Sequence, residues 1–91
     1  MLHLVFEIST EVLVRLPNQN AVIFLNNAVF GLLKNSKWQN QVAEIVPCYV
    51  LHDDLTLRGI EISALIDGII PIDYSQFVHL TIENTPIQTW I

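Results

Sequence analysis

What most constrains this chain is an alternation of short, almost wholly apolar runs with segments that carry helical spacing. Residues 21–25 are apolar at every position, and residues 45–51 are apolar and rich in β-branched side chains. Side chains of a strand point alternately to the two faces of its sheet, so a strand apolar at successive positions needs cover on both. That cover comes from helices, and strands that each lead into a crossover helix end up parallel. The pattern predicts an α/β fold: one small, doubly wound, mostly parallel sheet with helices on both faces. With 91 residues, the chain forms a single domain over 1–91.

The elements follow in order. The first run, residues 2–8, sets Leu2, Leu4, Phe6 and Ile8 on one face and His3, Val5 and Glu7 on the other. Ser9 and Thr10 offer caps for a short helix ending near Pro17. After the second run, Asn27 is placed to cap a helix through Val29, Phe30, Leu32 and Leu33. Residues 42–45 suggest another helical turn. In the third run Pro47 lacks an N–H for the ladder and marks the strand's start. Asp53 or Asp54 then caps a short helix with Arg58 in its last turn and Gly59 as the left-handed stop. Residues 60–69 read as a small helix or ordered loop. Residues 69–72 form a fourth strand before Asp73 and Gln76, spaced as a capping box for a helix through Phe77, Leu80 and Thr81. The tail, residues 85–91, suits an edge strand or a contact with a neighbour.

Charge narrows the partners. Charged residues are 14% of the chain, against about 25% in an average soluble domain, which points to apolar surface shared with other chains. Four basic and nine acidic side chains leave a net charge of −5. Lys34, Lys37, Arg15 and Arg58 are too few for direct nucleic-acid binding, which depends on neutralising phosphates, and an anionic membrane surface is disfavoured for the same reason. The longest uncharged stretch is broken by Pro17 and several Asn and Gln, so no transmembrane helix is expected. Nor is a signal peptide, because no basic segment precedes the first run and Glu7 interrupts it. A lone cysteine agrees with a reducing compartment, and a cytoplasmic location is expected.

Ligands of open parallel sheets bind at the carboxyl ends of the strands. The polar residues there are Ser9 and Thr10, Asn26 and Asn27, His52, Asp53 and Asp54, and Asp73 with Tyr74. The candidate strand-end cluster is Asn27, His52, Asp53, Asp73 and Tyr74, with helix capping as the plainer role for most of them. Cys48 is the one candidate nucleophile. It lies inside an apolar run with no basic residue within nine positions on either side, a setting that raises a thiol's pKa and keeps it inert. His3, His52 and His79 lack metal-ligand spacing, and no phosphate-binding glycine loop or nucleophile-elbow motif is present. No metal, cofactor or catalysis by this chain is expected. For contacts between chains the aromatic candidates are Trp38, Trp90, Phe30 and Phe77, aromatics being enriched at interface centres. Phe30 and Phe77 fit the domain's own core equally well.

Several stretches resemble the TusB/DsrH family. They are the start Met1-Leu2-His3, the block Leu51-His52-Asp53-Asp54-Leu55-Thr56-Leu57-Arg58-Gly59, the block from Ile69 through Asp73-Tyr74 and Phe77-Val78-His79-Leu80-Thr81, and the terminal Gln88-Thr89-Trp90. They occur in the family's order and spacing and span nearly the whole chain. The resemblance implies the DsrE-like α/β fold. It also implies a non-catalytic subunit of a TusBCD-like heterohexamer that relays persulfide sulfur, with TusC-like and TusD-like chains as partners. Sulfur then leaves through a TusE-like acceptor toward 2-thiolation of the tRNA wobble uridine, and in that relay the acceptor cysteine belongs to the TusD-like chain. Some DsrH proteins carry a cysteine in the first helix; residues 10–16 here have none, which counts against sulfur carriage. The family's Gln-Asp-Gly after the second strand is replaced by Asn26-Asn27-Ala28. Two alternatives stand beside this reading: a sulfurtransferase carrying persulfide on Cys48, and a homo-oligomeric small-ligand binder using His52, Asp53 and Tyr74.

Overall fold

A computed structural model describes residues 1–16, 21–45 and 47–90. Five strands form one parallel sheet: β1 (Leu2–Val5), β2 (Ala21–Phe24), β3 (Cys48–Leu51), β4 (Ile69–Ile72) and β5 (Ile87–Trp90), in the spatial order β4-β3-β2-β1-β5. The helices are α1 (Thr10–Arg15), α2 (Gln39–Ala43), α3 (His52–Leu57) and α4 (Tyr74–Glu83), with 3₁₀ helices at Asn26–Leu32 and Ile62–Ala64. The tail is thus an edge strand: Leu2 stands opposite Ile87 and Val5 opposite Trp90.

Handedness explains which face each helix covers. The chain steps outward from β1 to β2, β3 and β4, then returns to the far side of β1. Right-handed crossovers put the three outward connections on one face and the returning one on the other. The first face accordingly packs Val5, Val22, Phe24, Cys48 and Val50 under residues of α1, the long 3₁₀ helix, α2 and α3. On the second face Leu2, Ile23, Leu25 and Ile72 meet Phe77 and Leu80 of α4. Helices therefore lie on both faces, but unevenly, and no residue of α4 is fully buried.

Local rules account for most boundaries. The Ser9 hydroxyl accepts from the Val12 N–H, capping α1. Asp73 accepts from the Gln76 N–H at 2.7 Å while the Gln76 side chain accepts from the Asp73 N–H at 2.9 Å, a complete capping box. Gly59 takes φ +67° after α3, a left-handed stop that glycine adopts without strain. Pro71 sits in β4, an edge strand, where a missing donor is tolerated.

Three expectations need correction. The segment after β2 is a 3₁₀ helix, not an α-helix, and no side chain caps it; Val29 and Gly31 are weak helix formers, and the segment closes on a bridge from Leu33 to Leu65. Asn27 is therefore no cap. Neither Asp53 nor Asp54 caps α3, which starts at His52 without a side-chain bond. As the missing N–H of Pro47 implies, β3 opens directly after it, at Cys48, and the Pro47 carbonyl accepts from the Val22 N–H. Finally, β1 ends at Val5, so Ile8 leaves the face of Leu2 and packs against the first-face core. Expectations about Pro17 and Val46 fall outside the described residues.

At the seam between β1 and β5, the Trp90 Nε1–H donates to His3 Nδ1 at 3.1 Å, and His3 is buried at 3% exposure. Burial, with a smaller contribution from the nearby N-terminal charge, lowers the His3 pKa from its ordinary value. Because the folded chain holds His3 neutral, its contribution to stability is complete above about pH 6.5 and declines as pH falls toward the lowered folded value. We expect His3→Gln, which keeps an acceptor but does not titrate, to flatten the fall in unfolding free energy below pH 6.5, read by urea titration at several pH values. Phe24→Ala, at a fully buried position, should lower the same free energy by about 3–5 kcal/mol.

Candidate functional site

The carboxyl ends of β2 and β3 hold the densest polar cluster. Asn26 leaves β2 with φ +57°, a left-handed conformation that Asn tolerates better than most residues. That twist aims its N–H at Asp54 Oδ2 at 2.8 Å. From the C-terminal cap of α3, Arg58 Nη2 donates to Asn26 Oδ1 at 2.7 Å and to Asn27 Oδ1 at 3.2 Å. Its Nη1 donates to the Asp54 carbonyl at 3.2 Å and to Asp54 Oδ1 at 3.4 Å. The Arg58 and Asp54 side chains are only 18% and 17% exposed. Most of the guanidinium's donors are spent within the chain, so the cluster works as a clamp between the turn after β2 and the helix after β3. The sequence suggests Arg58 as a last-turn cation and Asn26 as one of the polar residues at the strand ends, without linking them; the signal for the clamp was the i,i+4 spacing of Asp54 and Arg58.

The candidate strand-end residues divide around this clamp. Asn27 joins it as an acceptor. His52 and Asp53 open α3 and are exposed; the His52 carbonyl accepts from Thr56 Oγ1. Asp73 is engaged in its capping box, and Tyr74 is exposed, with its ring 6.0 Å from that of Phe77. The helices that leave β3 and β4 go to opposite faces, so the point at which ligands enter such sheets lies between His52 and Asp73. Among the described residues no hydrogen bond or ion pair links its two sides. Nor does any group of three His, Cys, Asp or Glu among them suit a metal ion.

Cys48 lies between β2 and β4 in the sheet, opposite Val22 and Ile69. It is 2% exposed, and burial pushes its thiol up to about 12. At neutral pH the thiol is thus held protonated, and the thiolate is the reactive form.

Of the aromatic candidates, Phe30 is half exposed on the long 3₁₀ helix. Trp38 packs on the first-face core, over Gly31, where a Cβ would come within 2.7 Å of Ile8 and 3.3 Å of the Trp38 ring. Lys37 Nζ sits 4.6 Å from the centre of that ring, in cation–π range. Trp90 packs on the same core through its bond to His3, and Phe77 on the second-face core. Both tryptophans thus make contacts within their own chain that a sequence in polar or terminal surroundings does not reveal. No helix among the described residues is long and apolar enough to cross a membrane.

Comparison with known proteins agrees with this architecture. The family described as "DsrH like protein" matches residues 6–87. Protein TusB of Yersinia enterocolitica is 30% identical over 90 residues, covering 97% of this chain and 94% of that protein. Protein TusB of Shigella dysenteriae is 29% identical over 76 residues, covering 82% and 79%. Among solved structures, the protein MTH1491 of Methanobacterium thermoautotrophicum superposes with a TM-score of 0.76 at 16% identity, covering 98% of this chain and 96% of that one. The ychN protein of E. coli gives 0.75 at 16% identity, covering 98% and 97%. At that identity the likeness is one of fold.

Two outcomes test the site. Arg58→Ala strands the largely buried Asp54, and should lower unfolding free energy by about 1–3 kcal/mol in chemical denaturation. Iodoacetamide should alkylate Cys48 in the native protein only as fast as the chain opens, and rapidly in denaturant, as followed by mass spectrometry.

Proposed function

This chain belongs to the DsrH-like family, and from that membership we propose that it is a non-catalytic subunit of a sulfur relay complex of the TusBCD type, supporting 2-thiolation of the tRNA wobble uridine. Its partners in this reading are TusC-like and TusD-like chains, with a TusE-like acceptor downstream, and the transferred sulfur rides on a partner's cysteine.

The state of Cys48 is the observation that carries the reading. Persulfide transfer needs a thiolate that can reach the sulfur of another protein. The single cysteine of this chain is walled in by the sheet and the first-face helices, and its thiol is held protonated. A subunit of this kind contributes shape and contact surface. A charge content of 14% supports the same view, since a surface poor in charge suits a chain that spends its working life against others. Phe30, half exposed, is the most accessible of the four aromatic candidates for such a contact, and Trp38, Trp90 and Phe77 are partly buried.

Deleting the gene should abolish 2-thiouridine in tRNA, measured by mass spectrometry of nucleosides, and both the wild-type gene and Cys48→Ala should restore it. Intact thiolation in the deletion strain overturns the proposal. A folded Cys48→Ala protein that assembles but fails to restore thiolation moves the role to persulfide carriage by Cys48.

A further inference from the structure

The second face of the sheet is only half covered. Five strands about 4.8 Å apart span about 20 Å between the outer axes, whereas helices pack 8–10 Å from one another. α4 alone crosses this face, touching it through Phe77 and Leu80. Beside it, over β3 and β4, runs an open groove of about 430 Å³ with Tyr49, Ile70 and Ile72 as its floor and His79, Leu80 and Glu83 along one wall. Ile70 is 46% exposed there. An apolar strand side chain left in water beside an apolar groove is an unfinished contact.

Charge says what kind of surface completes it. From Gly59 onward the chain has no Lys or Arg and four carboxylates: Glu61, Asp67, Asp73 and Glu83. This segment supplies β4, α4 and β5. The four cations all belong to the opposite layer or its connections. Arg15 pairs with Glu11 on α1, Arg58 is locked in the clamp, and Lys34 and Lys37 lie between the long 3₁₀ helix and α2. Glu83 borders the groove with its side chain 58% exposed, and accepts from His79 Nε2 at 2.8 Å.

We propose that this groove docks a helix of a different protein chain, one whose apolar stripe is flanked by Lys or Arg. The apolar floor takes the stripe, and the cation-free rim favours the basic flanks and steers their approach. A second copy of this chain is the wrong occupant, because a two-fold contact would bring Glu83 against a segment that has no Lys or Arg to meet it. The proposal rests on the reading of the protein as a subunit and names the surface and the chemistry through which it is held.

The test is co-expression with the TusC-like and TusD-like chains of the same source, with assembly measured by native mass spectrometry and by titration of the purified components. Wild-type chain should assemble. Ile70→Glu, at a half-exposed position, should weaken assembly by about tenfold or more. Glu83→Lys, on an exposed side chain that leaves folding untouched, should weaken it by about threefold at low salt, with the difference vanishing in molar salt. Thermal melting of each variant alone checks its fold, and if Ile70→Glu melts early, Glu83→Lys decides. Wild-type assembly unaffected by Glu83→Lys and by a folded Ile70→Glu overturns the groove and leaves the subunit reading standing. No assembly of the wild type overturns both. Self-association of the wild type that Ile70→Glu abolishes overturns the choice of a different chain.

Discussion

The handedness of the last crossover shapes everything else in this molecule. Having placed β2, β3 and β4 to one side of β1, the chain must carry β5 to the other side, and a right-handed connection in that direction crosses the opposite face. One face therefore receives three connections and the other receives α4 alone. The thick layer seals Cys48 and builds the larger core. The thin layer leaves strand side chains such as Ile70 in water. A single topological step thus separates a chemically silent side from a side with surface to share.

The polar residues at the strand ends show how far position alone can mislead about chemistry. This is where parallel sheets hold their ligands, and an arginine, an aspartate and two asparagines do gather there. Yet their hydrogen bonds close on one another, and the guanidinium ties the turn after β2 to α3. Arg58 and Asp54, at low exposure, are satisfied by these neighbours, which is the ordinary fate of buried polar groups. The clamp fixes the position of two connections on the thick layer and leaves little to offer a solute.

Much of the fold was legible because it follows short-range rules. Continuous apolar runs marked β2 and most of β3, the spacing of Asp73 and Gln76 marked the start of α4, and Gly59 marked the end of α3. The family resemblance anticipated the same architecture. What escaped notice depended on distant partners. Asn27 looks like a cap in isolation, and only the arrival of Arg58 from 31 positions away makes it an acceptor instead. Trp38 and Trp90 sit in polar and tail sequence, and their burial follows from Gly31 and from His3 on the neighbouring strand. The 3₁₀ geometry of Asn26–Leu32 likewise depends on the bridge to Leu65. The candidate groove combines residues of β3, β4 and α4, and no local pattern announces it.

The pairing of β1 with β5 has a consequence for how the protein comes into being. Leu2 and Phe6 give their N–H groups to the carbonyls of Pro86 and Trp90, so one edge of β1 has its mate in a segment translated much later. Until β5 is made, that edge presents bare peptide groups, ready to template pairing with any extended segment nearby. Nascent chains crowded on one messenger would meet each other at that edge, and a chaperone that recognised it would be guarding the strand that joins β2 to β5 in the finished sheet.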